Sequence, residues 1–202
     1  MVRFVVMAAG LATRMGRDKL ALPWKNTTVL GYVLETVREA IERQDEATEI
    51  FVIARQPMES YCAAESIHKF NLRGETWLQV PKPVPLSETI RLSLQNLKNE
   101  IRGIGFLPGD QVGVTVQGLG DCLKQVRHGM PDFLVPTAGG IAGSPVFFHK
   151  RYVPELLALQ GEQGGREVLY RYPERWRNYP VEESLFNDVD TPEQYSALFG
   201  KL

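Results

Sequence analysis

Apolar residues arrive along this chain in short runs, and most runs are followed by a stretch in which they recur every three or four positions. VRFVVM (2–7) reads as a fully buried strand. Thr27 or Thr28 then caps a helix whose apolar positions Leu30, Val33, Leu34, Val37 and Ile41 keep the 3.6-residue period. EIFVIA (49–54) and TWLQV (76–80) read as strands, with helices over 58–70 and 86–97. GIGFL (103–107) is a further strand closed by Pro108 and Gly109, and a helix follows from about Thr115 to Arg127. Strands at 132–136, 145–149 and 176–181 and helices near 150–160, 164–172 and 192–199 complete the pattern.

Strand–helix alternation of this kind predicts a three-layer α/β/α sandwich around a mostly parallel, Rossmann-like sheet. No repeat, low-complexity tract or linker interrupts it, so residues 1–202 are expected to form a single domain. In such sheets ligands bind beyond the carboxyl ends of the strands. The segments to inspect therefore follow Met7, Val80, Leu107 and Pro136.

Composition narrows the partners. A formal net charge of -1 gives no global attraction to nucleic acid or to an anionic membrane, so any anion site must be local. No apolar run approaches the roughly 20 residues that cross a bilayer. The first strand starts at Val2 with no charged or apolar leader before it, and the chain is expected in the cytoplasm. Cys62 and Cys122 fit no zinc spacing and read as buried thiols, while His68, His128 and His149 stand alone.

The segment after Met7 carries the most suggestive chemistry. Ala8, Ala9 and Gly10 offer backbone almost without side chains, so their N–H groups can approach an anion closely. Arg14, Arg17 and Lys19 follow; Arg14 can fork onto phosphate oxygens and Lys19 supplies a mobile point charge. These residues describe a polyphosphate site, although a plain strand-to-helix turn with a solvated basic rim has the same composition. There is no P-loop and no G-x-G-x-x-G fingerprint. A polyphosphate is usually accompanied by Mg2+, which is held through one or two carboxylates. Asp110, on a Pro-Gly turn after the 103–107 strand, and Asp190, in NDVDTPEQY with Asp188, are the candidates. Each also has a plainer role open to it, Asp110 as a turn former and Asp190 as a helix N-cap.

Taken together, the chain resembles the molybdenum cofactor nucleotidyltransferases, the MobA-like NTP transferases, and within them the cytidylyltransferase branch. MAAGLATRMGRDKLALP (7–23), GDQ (109–111), AGSPVFF (142–148), GEQGGREVL (161–169) and NDVDTPEQY (187–195) carry the resemblance in consistent order. It implies a nucleotide-diphospho-sugar transferase type of sheet and a Mg2+-dependent transfer of CMP from CTP to molybdopterin, with pyrophosphate released. It also implies roles. Asp110 and Asp190 would hold the metal, Ala8, Ala9 and Gly10 would cradle the triphosphate, and Arg14 and Lys19 would stabilise its charge. Thr89 and Arg91 would lie on the base side, and Gly143, Pro145 and Arg166 on the pterin side. GTP in place of CTP, a sugar or polyol phosphate acceptor, or a non-catalytic accessory role beside an apo molybdenum hydroxylase are the alternatives. Departures from the family pattern fall at Ala12, Thr13, Glu88 and Val112, and Lys25-Asn26 replaces a Gly-Gly turn, with Asn26 expected to accept positive φ.

Overall fold

The apolar runs become the strands of one twisted sheet in a computed structural model that describes residues 1–10, 18–44 and 48–199. At its centre β1 (Val2–Ala8) pairs in parallel with β4 (Thr48–Ala54) on one side and β6 (Gly103–Pro108) on the other. Outward lie β5 (Thr76–Gln79), β7 (Phe133–Ala138), β9 (Val146–His149) and β10 (Trp176–Pro180), in the order β10-β7-β9-β6-β1-β4-β5. A two-residue strand, β8 (Ile141–Ala142), folds back on β7. Within this sheet, among the described residues, every pairing is parallel except those of β9 with its two neighbours and of β8 with β7. The expected mixed α/β class with a mostly parallel sheet is what the chain forms.

Alternation along β1 explains the layers. Phe4, Val6 and Ala8 face one core, where they meet Leu30, Val33, Leu34 and Val37 of α1 (Val29–Glu42) and Leu119 and Leu123 of α4 (Val116–Arg127). Val5 faces the other, with Ile90 of α3 (Leu86–Ser93), Phe106, Phe148, Leu156 and Val168. Thr28 caps α1, its Oγ1 accepting the Gly31 N–H at 3.0 Å. Arg3 is the one charged residue of the strand read as fully buried, and it is buried too. It is 2% exposed and pairs with Glu49 at 3.1 Å, while donating to the carbonyls of Ser93, Gln95 and Asn96. Cys62 and Cys122 are buried, and burial pushes their thiols up to about 11 and about 12.

Several boundaries differ from the periodicity. The helix expected over 58–70 is a 3₁₀ turn at Met58–Ser60 followed by α2 (Ala64–Arg73), which Gly74 ends at φ 64°. The helix expected to reach 97 stops at Ser93. Those expected near 150–160 and 164–172 shrink to α5 (Val153–Leu157) and α6 (Gly165–Leu169), each beside glycine or a 3₁₀ turn. The chain closes with α7 (Pro192–Phe199). The small hairpin of β2 (Pro23–Trp24) and β3 (Thr27–Thr28) is too short to carry a period. In its turn Lys25, not Asn26, takes the positive φ, at 50°.

Two features position the site. β1 and β6 end side by side, with the Gly109 N–H donating to the Met7 carbonyl at 2.9 Å. The loop beyond β6 then lies against the C-terminal segment, where the Gly113 N–H donates to the Asn187 carbonyl at 2.8 Å. A Cβ on Gly113 would lie 1.9 Å from the Ser184 carbonyl oxygen. Gly113→Ala is therefore expected to cost about 1–3 kcal/mol through overpacking. A urea denaturation midpoint equal to that of the parent would show that this contact does not constrain the fold.

Candidate active site

The turn that follows β6 and the segment that precedes α7 are tied by backbone. The Asp110 carbonyl accepts the Val189 N–H at 3.1 Å and the Val112 N–H at 2.9 Å, and Val189 is fully buried. Gln111, only 4% exposed, reinforces the junction by donating to the carbonyls of Ser144 at 2.8 Å and Leu185 at 2.9 Å. Asp190 does not cap the last helix. Thr191 does: its Oγ1 accepts the Gln194 N–H at 3.2 Å, and the Gln194 side-chain oxygen accepts the N–H groups of Asp190 and Thr191, each at 2.9 Å. The capping box leaves the Asp190 carboxylate to other partners.

One of those partners is Lys19. Its ammonium donates to Asp190 Oδ1 at 2.7 Å and is ion-paired with Asp110 Oδ2. Residues remote in sequence, on a 3₁₀ turn at Lys19–Ala21, a loop after β6 and the approach to α7, thus converge on one point. Burial opposes the Lys19 charge, but the two carboxylates outweigh it and hold its pKa above the ordinary lysine value. Asp188, on the other side of Val189, lines a neighbouring hollow with Phe186 and Gln194. Burial first, then the charges of Asp110 and Asp190, push its carboxyl above the usual range.

Beside this cluster opens a cleft of about 500 Å3 at the carboxyl edge of the sheet, lined by Ala8, Ala9, Gly10, Lys19, Thr89 and Asp110 among others. Among the described residues, a Cβ built on Gly10 meets nothing within 4 Å. Thr89, 4% exposed, presents its side to the cleft from α3. Arg91, two positions on and so on another face of the helix, is paired with Glu88 and donates to the Leu159 carbonyl at 3.2 Å. Met7, Leu86, Pro108 and Glu162 are shared with a second hollow of about 390 Å3, floored by Ile90, Phe106 and Phe148 and edged by Ser144 and Arg166. Gly143 and Pro145 flank Ser144 without lining that hollow; Gly143 is glycine because a Cβ would lie 2.1 Å from the Phe186 ring. Arg14, with Ala12 and Thr13, lies outside the described residues.

Sequence reasoning passed over Asp18, Glu162 and the buried side chain of Gln111. Asp18 had a signal, since an acid just before a short turn is a capping residue. Glu162 lies inside the GEQGGREVL motif, but its place at the cleft depends on how residues 159–165 fold back over α3, where the Ser87 N–H donates to the Gly161 carbonyl at 3.1 Å.

A lysine and two carboxylates thus gather beside a cleft where strands of a mostly parallel sheet end, the place where ligands bind in such α/β folds. The chain belongs to the MobA-like NTP transferase family, whose domain matches residues 4–176, and is a nucleotidyltransferase of that family. It is 26% identical over 197 residues to the purine catabolism protein PucB of Bacillus subtilis strain 168, covering 95% of this chain and 92% of that one. Among solved structures, Rv0371c of Mycobacterium tuberculosis H37Rv superposes with a TM-score of 0.78 at 24% identity, over 98% of this chain and 97% of the other. The same protein complexed with manganese superposes at 0.72 and 24% identity, over 100% and 99%. The molybdopterin-guanine dinucleotide biosynthesis protein A of Archaeoglobus fulgidus superposes at 0.64 and 16% identity, over 98% and 97%. No helix among the described residues is long and apolar enough to cross a membrane.

Lys19 is only 16% exposed at its side chain, so water screens its ion pairs poorly. Lys19→Met is expected to lower stability by about 1.5–3 kcal/mol, the range for hydrogen bonds to charged groups. Millimolar Mn2+ should then raise the variant's melting temperature more than the parent's. Equal responses to Mn2+ would mean that the two carboxylates do not accept a cation in place of the ammonium.

Proposed function

We propose that this nucleotidyltransferase transfers CMP from CTP to the terminal phosphate of molybdopterin, with Mg2+ as its metal and pyrophosphate as the second product. The observation that carries the reading is the meeting of Lys19, Asp110 and Asp190 at the mouth of the Ala8–Gly10 cleft. The donor set suits the metal: two carboxylates already hold a cation between them. Mg2+ is typically bound by one or two carboxylates, with water and substrate phosphate completing its shell. Asp110 and Asp190 would hold it, and when bound it would neutralise charge on the phosphates. The manganese complex of the Mycobacterium protein is in line with a divalent ion here.

The chemistry asks mainly for alignment and charge neutralisation. An oxygen of the acceptor phosphate forms a bond to the α-phosphorus of CTP, and the bond from that phosphorus to the β-bridging oxygen breaks. A phosphate monoester has a second pKa near 6 and attacks as an anion, so no side chain need take a proton from it. Backbone N–H groups of Ala8 to Gly10 cradle the triphosphate in this reading, and Lys19 stabilises its charge; Arg14 is assigned the same task from the sequence. Thr89 faces the nucleotide from α3. The adjoining hollow, with its aromatic floor and Arg166 at its edge, suits a flat heterocycle bearing an anionic group. The name of the Archaeoglobus structure is in line with a molybdopterin acceptor. It also gives the second reading, in which GTP replaces CTP.

Single-turnover pyrophosphate release, with Mg2+ and molybdopterin and either CTP or GTP, separates the two. The parent is expected to turn over CTP in preference. Asp110→Ala and Asp190→Ala are each expected to slow release by about 100-fold or more, the scale of removing one transition-state contact. Rates near the parent's in both variants would remove the metal assignment, and preference for GTP would replace the first reading by the second.

A further inference from the structure

Asp18 stands one residue before Lys19 and lines the cleft, a poor place for an unpaired negative charge if a triphosphate is to bind there. Both of its carboxylate oxygens are engaged. Oδ1 accepts the backbone N–H of Leu20 at 3.1 Å, which caps the turn bearing Lys19. Oδ2 accepts the phenol O–H of Tyr61 at 2.8 Å. Tyr61 is 1% exposed and firmly seated. Its backbone carbonyl accepts the Thr28 hydroxyl at 2.7 Å, its N–H donates to the Met58 carbonyl at 2.9 Å, and its ring tilts against Trp77 at 6.0 Å between centroids. Burial, and then the bond to Asp18, push the phenol's pKa up, so the hydroxyl keeps the proton that it donates.

We infer that Tyr61 is a positioning residue of the nucleotide site: through Asp18 it fixes the turn that carries Lys19 and holds one oxygen of that carboxylate away from the phosphates. This rests on the nucleotide reading above. Tyr61 takes no part in bond making, because its hydroxyl reaches the cleft only by way of Asp18. A phenol–carboxylate hydrogen bond is of the charge-assisted kind, roughly twice as strong as a neutral one, and it is anchored here on the capped start of α1. The same carboxylate thus serves two purposes. One oxygen sets the backbone of the turn, and the other is held toward the protein interior.

Tyr61→Phe removes the hydroxyl and keeps the ring, so the packing against Trp77 survives. In the nucleotide-free variant, exchange of the Leu20 amide is expected to accelerate about ten-fold, while amides of α1 and β1 keep the parent's rates. Binding of the Mg2+ complex of CTP or GTP, whichever the parent prefers, should weaken about 5- to 20-fold, with KM rising and kcat within about two-fold of the parent. In an Asp18→Ala background the same substitution should change neither quantity. Unchanged Leu20 exchange, or full weakening of nucleotide binding in the Asp18→Ala background, would overturn the inference. A parent chain that binds no Mg2+–nucleotide would overturn the reading of the site instead, and Leu20 exchange would then decide alone whether Tyr61 fixes the turn.

Discussion

Two carboxylates that face a common point repel one another unless a cation lies between them. In this chain the cation is the Lys19 ammonium, held by Asp110 and Asp190 at the edge of the sheet. Opposite charges are thereby stored side by side, next to a cleft that Ala8, Ala9 and Gly10 help to line. A metal-bound polyphosphate has the complementary layout, anionic oxygens around a divalent ion. In the proposed reading the acids take its metal and the lysine its phosphates. The proposed function rests on this pairing of an internal ion pair with an external one, and the remaining geometry keeps Lys19, Asp110 and Asp190 in register.

Most of that geometry is backbone. The central strand and β6 stop together, and the Gly109–Met7 hydrogen bond keeps the Asp110 turn level with the first loop. Val189, buried between Asp188 and Asp190, donates to the Asp110 carbonyl and draws the C-terminal segment alongside. The Thr191–Gln194 capping box sets the direction in which α7 leaves. That helix is in turn seated on the first hairpin, where the Tyr195 hydroxyl donates to the Pro23 carbonyl at 2.7 Å and its ring lies 6.2 Å from that of Trp24. Since the hairpin directly follows the Lys19 turn, both ends of the ion-paired cluster rest on the same support.

Much of this was legible from residue order. The alternation of apolar runs with helical periods gave the strands and the layered class, because each half-buried strand or helix face must find a partner. The loop after β1 and the turn after β6 could be singled out because ligands gather at strand ends in such sheets. Short elements were legible in place but not in length or direction. α5 and α6 fall where helices were expected but are far shorter, and β9 reads like any buried strand, though it runs against its neighbours. Arg91 lies close to Thr89 in sequence yet is turned toward Leu159, a difference set by helix phase and by the fold of residues 159–165. The contact of Tyr61 with Asp18 had no sequence signal at all, since it depends on where a 3₁₀ turn delivers one aromatic ring.

The decisive measurement is a crystal structure of the chain with Mn2+ and a non-hydrolysable CTP analogue. Mn2+ bound by Asp110 and Asp190, with the Lys19 ammonium on a phosphate oxygen and the triphosphate over Ala8 to Gly10, is the expected result. A nucleotide bound elsewhere, or Lys19 still seated between the two carboxylates while the metal occupies other acids, would contradict it.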